Sequence, residues 1–135
     1  MKLTTWKIRG LGSKRKQRNL GNRIKEEKPD MVLIHETKCS VDKIRELHRK
    51  WLIKYEYLEV KENNSAGGIL TLWNPQKFGI LDAEASINHL SMVIQPLGDK
   101  DCYMITNVYG PQLLEEKFRL LTTLEELRER HLIMP

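Results

Sequence analysis

Four consecutive apolar residues, Met31-Val32-Leu33-Ile34, are closed off in front by Pro29-Asp30 and behind by His35-Glu36. A run this short with no polar alternation predicts a strand buried on both faces, and therefore a layered domain. The segment before it fits that setting. Lys2 to Arg9 is a strand candidate that sends Trp6 and Ile8 to one face and Thr5 and Lys7 to the other. Gly10-Leu11-Gly12-Ser13 is turn chemistry, with Ser13 placed to cap a helix over Lys14 to Glu27 that Pro29-Asp30 stops. A strand–helix–strand unit of this kind normally makes two parallel neighbours.

Downstream, Val41, Ile44, Leu47 and Trp51 recur at helical spacing and predict a second amphipathic helix. Strand candidates follow at Tyr55 to Lys61, Gly68 to Trp73, Phe78 to Ala85, Leu90 to Gln95 and Tyr103 to Tyr109. Turns at Asn63-Asn64-Ser65, Asn74-Pro75 and Gly98-Asp99 separate them. Leu114, Phe118, Leu121, Leu124 and Leu127 line one side of a last helix. The 135 residues thus read as one mixed α/β layered domain, with a mainly antiparallel sheet and flanking helices. No repeat or low-complexity tract divides the chain, and no apolar run approaches membrane-spanning length. The first residues lack a signal-peptide stretch, so a nuclear or cytoplasmic rather than secreted protein is expected. Cys39 and Cys102 lack metal-ligand spacing and read as reduced thiols.

The net charge of +5 is unevenly placed. Lys7, Arg9, Lys14, Arg15, Lys16, Arg18, Arg23, Lys25 and Lys28 face only Glu26 and Glu27 in the same stretch. A basic front end suits a polyanion such as nucleic acid, with Arg9, Lys14, Arg15 and Lys38 as the candidate contacts. Charge alone fits a solvated helix face equally well. Lys14-Arg15-Lys16 also reads as a weak nuclear address.

Ligand sites in α/β folds form where strands end. Three strand ends carry polar or glycine residues: Trp6 to Gly10, Ile34 to Lys38, and Asn107 to Pro111. A carboxylate at the mouth of a buried strand is costly to desolvate unless it is paired or holds a cation. Glu36 is therefore the best metal-ligand candidate. The plainer reading is a strand-end acid paired with Lys38 or another cation.

Taken in order, Trp6-x-x-Arg9-Gly10, Leu33-Ile34-x-Glu36-Thr37-Lys38, Ser65-Ala66-Gly67-Gly68 and Asn107-Val108-Tyr109-Gly110-Pro111 resemble successive motifs of the endonuclease/exonuclease/phosphatase superfamily. The wording of the first and last is most similar to the endonuclease domain of plant LINE-type, non-LTR retrotransposons. The resemblance implies a DNase I-like four-layer α/β sandwich and magnesium-dependent hydrolysis of a DNA phosphodiester. It makes Glu36 the magnesium ligand and catalytic carboxylate, and it places the Tyr109 hydroxyl near the scissile phosphate.

The chain departs from that pattern in two ways. Lys7 stands where the family has Asn; an ammonium only donates, and beside Glu36 it would compete with a cation for the carboxylate. His35 replaces a usual Gln, more as a structural imidazole than a proton carrier, and Gln112 replaces a common Asn. Further, no Gly-Asp-x-Asn occurs, and the Asp-His pair expected later is not met; His131 does not fit the catalytic histidine's context. The expectation is a partial domain over residues 1–135 that lacks its C-terminal half and is inactive alone. Only the first sheet would then be encoded, leaving an apolar face bare for self-association. A non-catalytic nucleic-acid- or partner-binding module is the alternative reading. Another branch of the superfamily, acting on abasic DNA or a phosphorylated small molecule, is a third.

Overall fold

The computed structural model of the chain describes residues 2–60, 68–86 and 89–108. Tyr109, Gln112, His131, the last helix and the Ser65-Ala66-Gly67 part of the third motif lie outside these residues. The elements run β1 (Leu3–Lys7), α1 (Lys14–Glu27), β2 (Met31–His35), α2 (Val41–Trp51), β3 (Glu56–Val60), β4 (Ile69–Trp73), β5 (Phe78–Ala85), β6 (His89–Pro96) and β7 (Tyr103–Val108).

Ser13 caps α1 by accepting from the Lys16 amide at 3.2 Å, and Ser40 does the same for α2 from Lys43. At the other end of α1, Lys28 turns left-handed and returns its N–H to the Ile24 carbonyl at 2.8 Å. Gly21 is the crossing point of the helices: a Cβ there would stand 3.0 Å from the Trp51 side chain. A bulkier residue would wedge the pair apart.

The strands form a four-stranded sheet ordered β1-β2-β4-β3 and a three-stranded sheet ordered β5-β6-β7. Among the described strands only β1 and β2 pair in parallel, as the strand–helix–strand unit predicts; the other pairings are antiparallel. The apolar run in β2 is buried throughout and divides by parity. Val32 and Ile34 join Leu20, Ile24, Ile44 and Leu47 of the helices in one core, together with Trp6, Leu70 and Leu72. Met31 and Leu33 face the other way, packing with Ile69 and Trp73 against Phe78, Leu90, Met92 and Ile94 of the second sheet. At about 1.5–3 kcal/mol per fully buried aliphatic side chain, these two seams hold the layers together.

This arrangement corrects the expectation that only the first sheet is encoded. Strands β5 to β7 supply a second sheet, so the inner face of the first is covered rather than bare. Of the exposed large apolar residues, Leu3, Leu58, Tyr103 and Met104 sit on edge strands and Leu81 at the β5 bulge, while Trp51 ends α2 and Ile53 and Leu97 lie in turns. The strands were visible in the sequence because alternation marks a strand; it does not say which strand pairs with which sheet.

Candidate functional site at the strand ends

The carboxyl end of the parallel pair forms the mouth of the two packed sheets. Register sets Lys7 opposite His35, on the face turned away from Trp6 and the helices. Ile8 donates to the His35 carbonyl at 3.1 Å and so carries the pairing one step further. The two chains then bend together. Gly10, with φ of 93°, donates to the Glu36 carbonyl at 2.9 Å, and Leu11 donates to the Thr37 carbonyl at 2.7 Å.

Glu36 and Lys38 both take left-handed backbone, φ 58° and 42°, which non-glycine residues adopt only at a cost. A third segment holds them there. The Thr37 amide donates to the Gly68 carbonyl at 3.3 Å, and the Thr37 side chain is buried against Gly68. Gly68 has φ of 104°, and a Cβ on it would collide with Thr37 Oγ1. The glycine is required both for its backbone and for this close approach.

The clasp leaves the Glu36 side chain only 13% exposed, with Lys7 Nζ 3.8 Å from its Oε2 and itself 62% exposed. Lys7 and Glu36 are thus brought together, as the substitution of Lys for the usual Asn predicts. At that distance and exposure the pair stabilises the fold by on the order of 1 kcal/mol or less. Its interest is chemical: a positive charge lies over the carboxylate.

Behind them sits a group that the sequence reading did not assign. Asn107 on β7 is buried and donates from Nδ2 to the Leu70 carbonyl at 3.3 Å and to Thr71 Oγ1 at 3.1 Å, tying the two sheets together. Its Oδ1 is buried without a hydrogen-bond partner among the described residues. Burial holds the His35 imidazole below its ordinary value; Asn107 and Glu36 pull upward, and Lys7 pulls downward. Asn107 thus lies near enough to favour charged His35, although no bond of normal geometry closes on Oδ1. The net effect favours the neutral form of His35. Asn107 stood inside a quoted motif, but only the pairing of the two sheets reveals its role.

His89, at the same end of the second sheet, is also buried and also unassigned by sequence. It shares a short hydrogen bond with the Ser86 hydroxyl through Nδ1, while Nε2 has no partner among the described residues. Burial lowers its pKa, opposed by nearby Glu84.

Basic residues rim the mouth. Arg9 is exposed, and its carbonyl accepts from Lys16 Nζ at 2.6 Å. Lys38 is exposed beside Gly10, and Lys43, missed in the sequence, reaches Gly12. Lys14 and Arg15 are exposed on the first turn of α1, where Lys14 lies close enough to Glu46 of α2 to help lower its pKa, behind the larger effect of Lys50. Cys39 and Cys102 are free thiols, and burial first of all raises the pKa of Cys39, as expected of an inert side chain.

Among the described residues, no group of three or more His, Cys, Asp or Glu side chains gathers to hold a metal ion. Glu36 offers its carboxylate with an ammonium already against it. A divalent cation normally takes several hard oxygen ligands, so the described residues do not by themselves fit one.

No family model matches the chain. Its fold does match solved structures. A humanized D. rerio TDP2 superposes with a TM-score of 0.70 at 15% identity, over 96% of this chain and 56% of that one. An endonuclease/exonuclease/phosphatase family protein from Bacteroides thetaiotaomicron gives 0.71 at 10% identity, over 94% and 59%. The AP endonuclease LMAP from Leishmania major gives 0.67 at 20% identity, over 95% and 46%. The chain therefore spans about half the length of the structures it matches. What it shares with them is their fold: two packed sheets with flanking helices, the DNase I-like α/β architecture.

Proposed function

We propose that this chain forms the Glu36 wall of a DNA phosphodiester hydrolase, corresponding to the first half of a retroelement-type endonuclease domain. The observation that carries this reading is the clasped Glu36 carboxylate at the end of the parallel strand pair, with Lys7 Nζ 3.8 Å away. Its left-handed backbone is the kind of strain that folds retain at working sites. The fold's likeness to an AP endonuclease supports a nucleic-acid substrate, as does the rim of Arg9, Lys38 and Lys43. Tyr109, directly after β7, is proposed to place its hydroxyl near the scissile phosphate.

Magnesium is the family expectation, with Glu36 as its ligand, but Lys7 stands in its way and the described residues supply no companion carboxylates. The 135 residues contain no Gly-Asp-x-Asn. The chain alone is therefore proposed to bind DNA without cutting it, in a nuclear or cytoplasmic setting. Any self-association is assigned to the edge strand β7, with its exposed Tyr103 and Met104.

A supercoiled-plasmid nicking assay with magnesium tests the reading. The expected result is no nicking; strong cleavage abolished by Glu36→Ala would overturn the proposed inactivity and keep Glu36 as ligand. The alternative is a non-catalytic nucleic-acid- or partner-binding module that reuses the half-fold, with Lys7 and Glu36 as a structural ion pair. Salt-dependent DNA binding that survives Glu36→Ala would support it.

A further inference from the structure

We infer that Lys7 acts as the resident cation of this mouth, engaging a DNA phosphodiester without any metal ion. The inference rests on reading the mouth as a phosphodiester site and deepens it.

A metal ion in such a place would neutralise a carboxylate on its inner side and accept a phosphate oxygen on its outer side. Lys7 has that disposition. Its ammonium stands 3.8 Å from Glu36 Oε2, yet the lysine side chain is 62% exposed while the glutamate is 13% exposed. The charge therefore lies outward of a nearly buried acid. An ammonium has three N–H donors in fixed tetrahedral directions. At 3.8 Å none makes a close hydrogen bond to the carboxylate, so the donors remain available to an incoming anion. Strand pairing fixes where the charge stands, since Lys7 ends β1 in register with His35 and the clasp holds Glu36 beneath it. Arg9 and Lys38, both exposed, follow Lys7 and Glu36 by two residues and give a polyanion further points of attachment. A divalent ion, in contrast, would have to displace Lys7 to reach a carboxylate that has no acidic cluster around it among the described residues.

The two bridging modes predict opposite signs for one substitution. Fluorescence anisotropy of a labelled duplex oligodeoxynucleotide is measured with the wild-type chain, Lys7→Met and Glu36→Gln, each with excess EDTA and again with magnesium. Circular dichroism confirms that the variants are folded. With Lys7 as the cation, EDTA does not weaken wild-type binding, and magnesium lowers it only as a competing counterion of the DNA. Lys7→Met, which keeps most of the apolar stem, weakens binding, and the slope of log affinity against log salt falls by about one unit. Glu36→Gln strengthens binding, because it removes the acid that shares the ammonium. With a metal bridge, Glu36→Gln weakens binding and EDTA abolishes it; either result overturns the inference but leaves a phosphodiester site in place. Unchanged affinity in Lys7→Met would also overturn the inference alone. A wild-type chain without salt-dependent DNA binding would overturn the inference and the underlying reading together.

Discussion

A buried histidine reports on its surroundings through the pH dependence of stability. His89 has an ordinary value of 6.5, which burial lowers in the folded chain despite the opposing pull of Glu84. As pH falls through 6.5, the unfolded chain takes up the proton before the folded one does, so the unfolded state gains and stability drops. The loss ends only once pH has passed below the folded-state value. His35 is shifted in the same direction by its own burial, so the two add. The urea midpoint of the wild-type chain is therefore expected to hold between pH 8 and pH 7 and to fall as pH drops from about 6.5 to 5. His89→Asn retains a polar partner for Ser86 but does not titrate, and its midpoint should fall less over the same range. Equal slopes would show that His89 is not desolvated as described. At this scale the sequence was only partly legible. Lys7 and Glu36 stood out because each breaks a local pattern, a charge at a strand end. His89 and Asn107 stayed hidden because their importance comes from what packs over them: Asn107 touches residues 36 and 37 positions away.

Elements were legible where local chemistry decides them. Ser13 and Pro29-Asp30 bracket α1, and the helix runs from Lys14 to Glu27 as those signals predict. The parity of β2 followed from four apolar residues in a row. The pieces of the clasp around Glu36 each stood out in the sequence, Gly10, Glu36-Thr37-Lys38 and Gly68, but their closing on one another was not legible, because the three segments lie far apart along the chain. The energetics of the clasp can be separated with two substitutions. Gly68→Ala places a Cβ against Thr37 Oγ1 and forces alanine to φ of 104°, a combined strain of about 1–3 kcal/mol. Thr37→Ala removes the hydroxyl that the new Cβ would strike, but it leaves the backbone strain in place. The double variant should therefore be more stable than the sum of the two single losses predicts, as measured by urea unfolding. Simple additivity would mean that Thr37 and Gly68 do not meet in the way the clasp requires. Amide exchange should localise the change: Gly10, Leu11 and Thr37 lose protection in Gly68→Ala, while the amides within β2 and β4 keep theirs.

At the scale of the whole molecule, the question is whether the two sheets behave as one unit. Strands β2 and β4 contribute to both cores: Val32, Ile34, Leu70 and Leu72 to the helix side, and Met31, Leu33, Ile69 and Trp73 to the sheet side. Removing either core would strip one face from the same two central strands, and Asn107 fastens the sheets across the gap besides. Unfolding of one layer should therefore carry the other with it. The three tryptophans allow a direct measurement, because Trp6 lies in one core, Trp73 in the other, and Trp51 is exposed enough to be replaced. In a Trp51→Phe background, Trp73→Phe leaves emission from the helix-side core and Trp6→Phe leaves emission from the inter-sheet core. Each replacement shifts stability by its own amount, so each variant's fluorescence transition is compared with its own far-ultraviolet dichroism. Coincidence in both variants is expected of a two-state domain. Fluorescence that leads dichroism only when Trp73 is the reporter would mean that the β5-β6-β7 sheet comes away first. The mouth would then be held by the first sheet alone, through the β1–β2 pairing and the Gly68 clasp, and Asn107 would be a passenger rather than a tie.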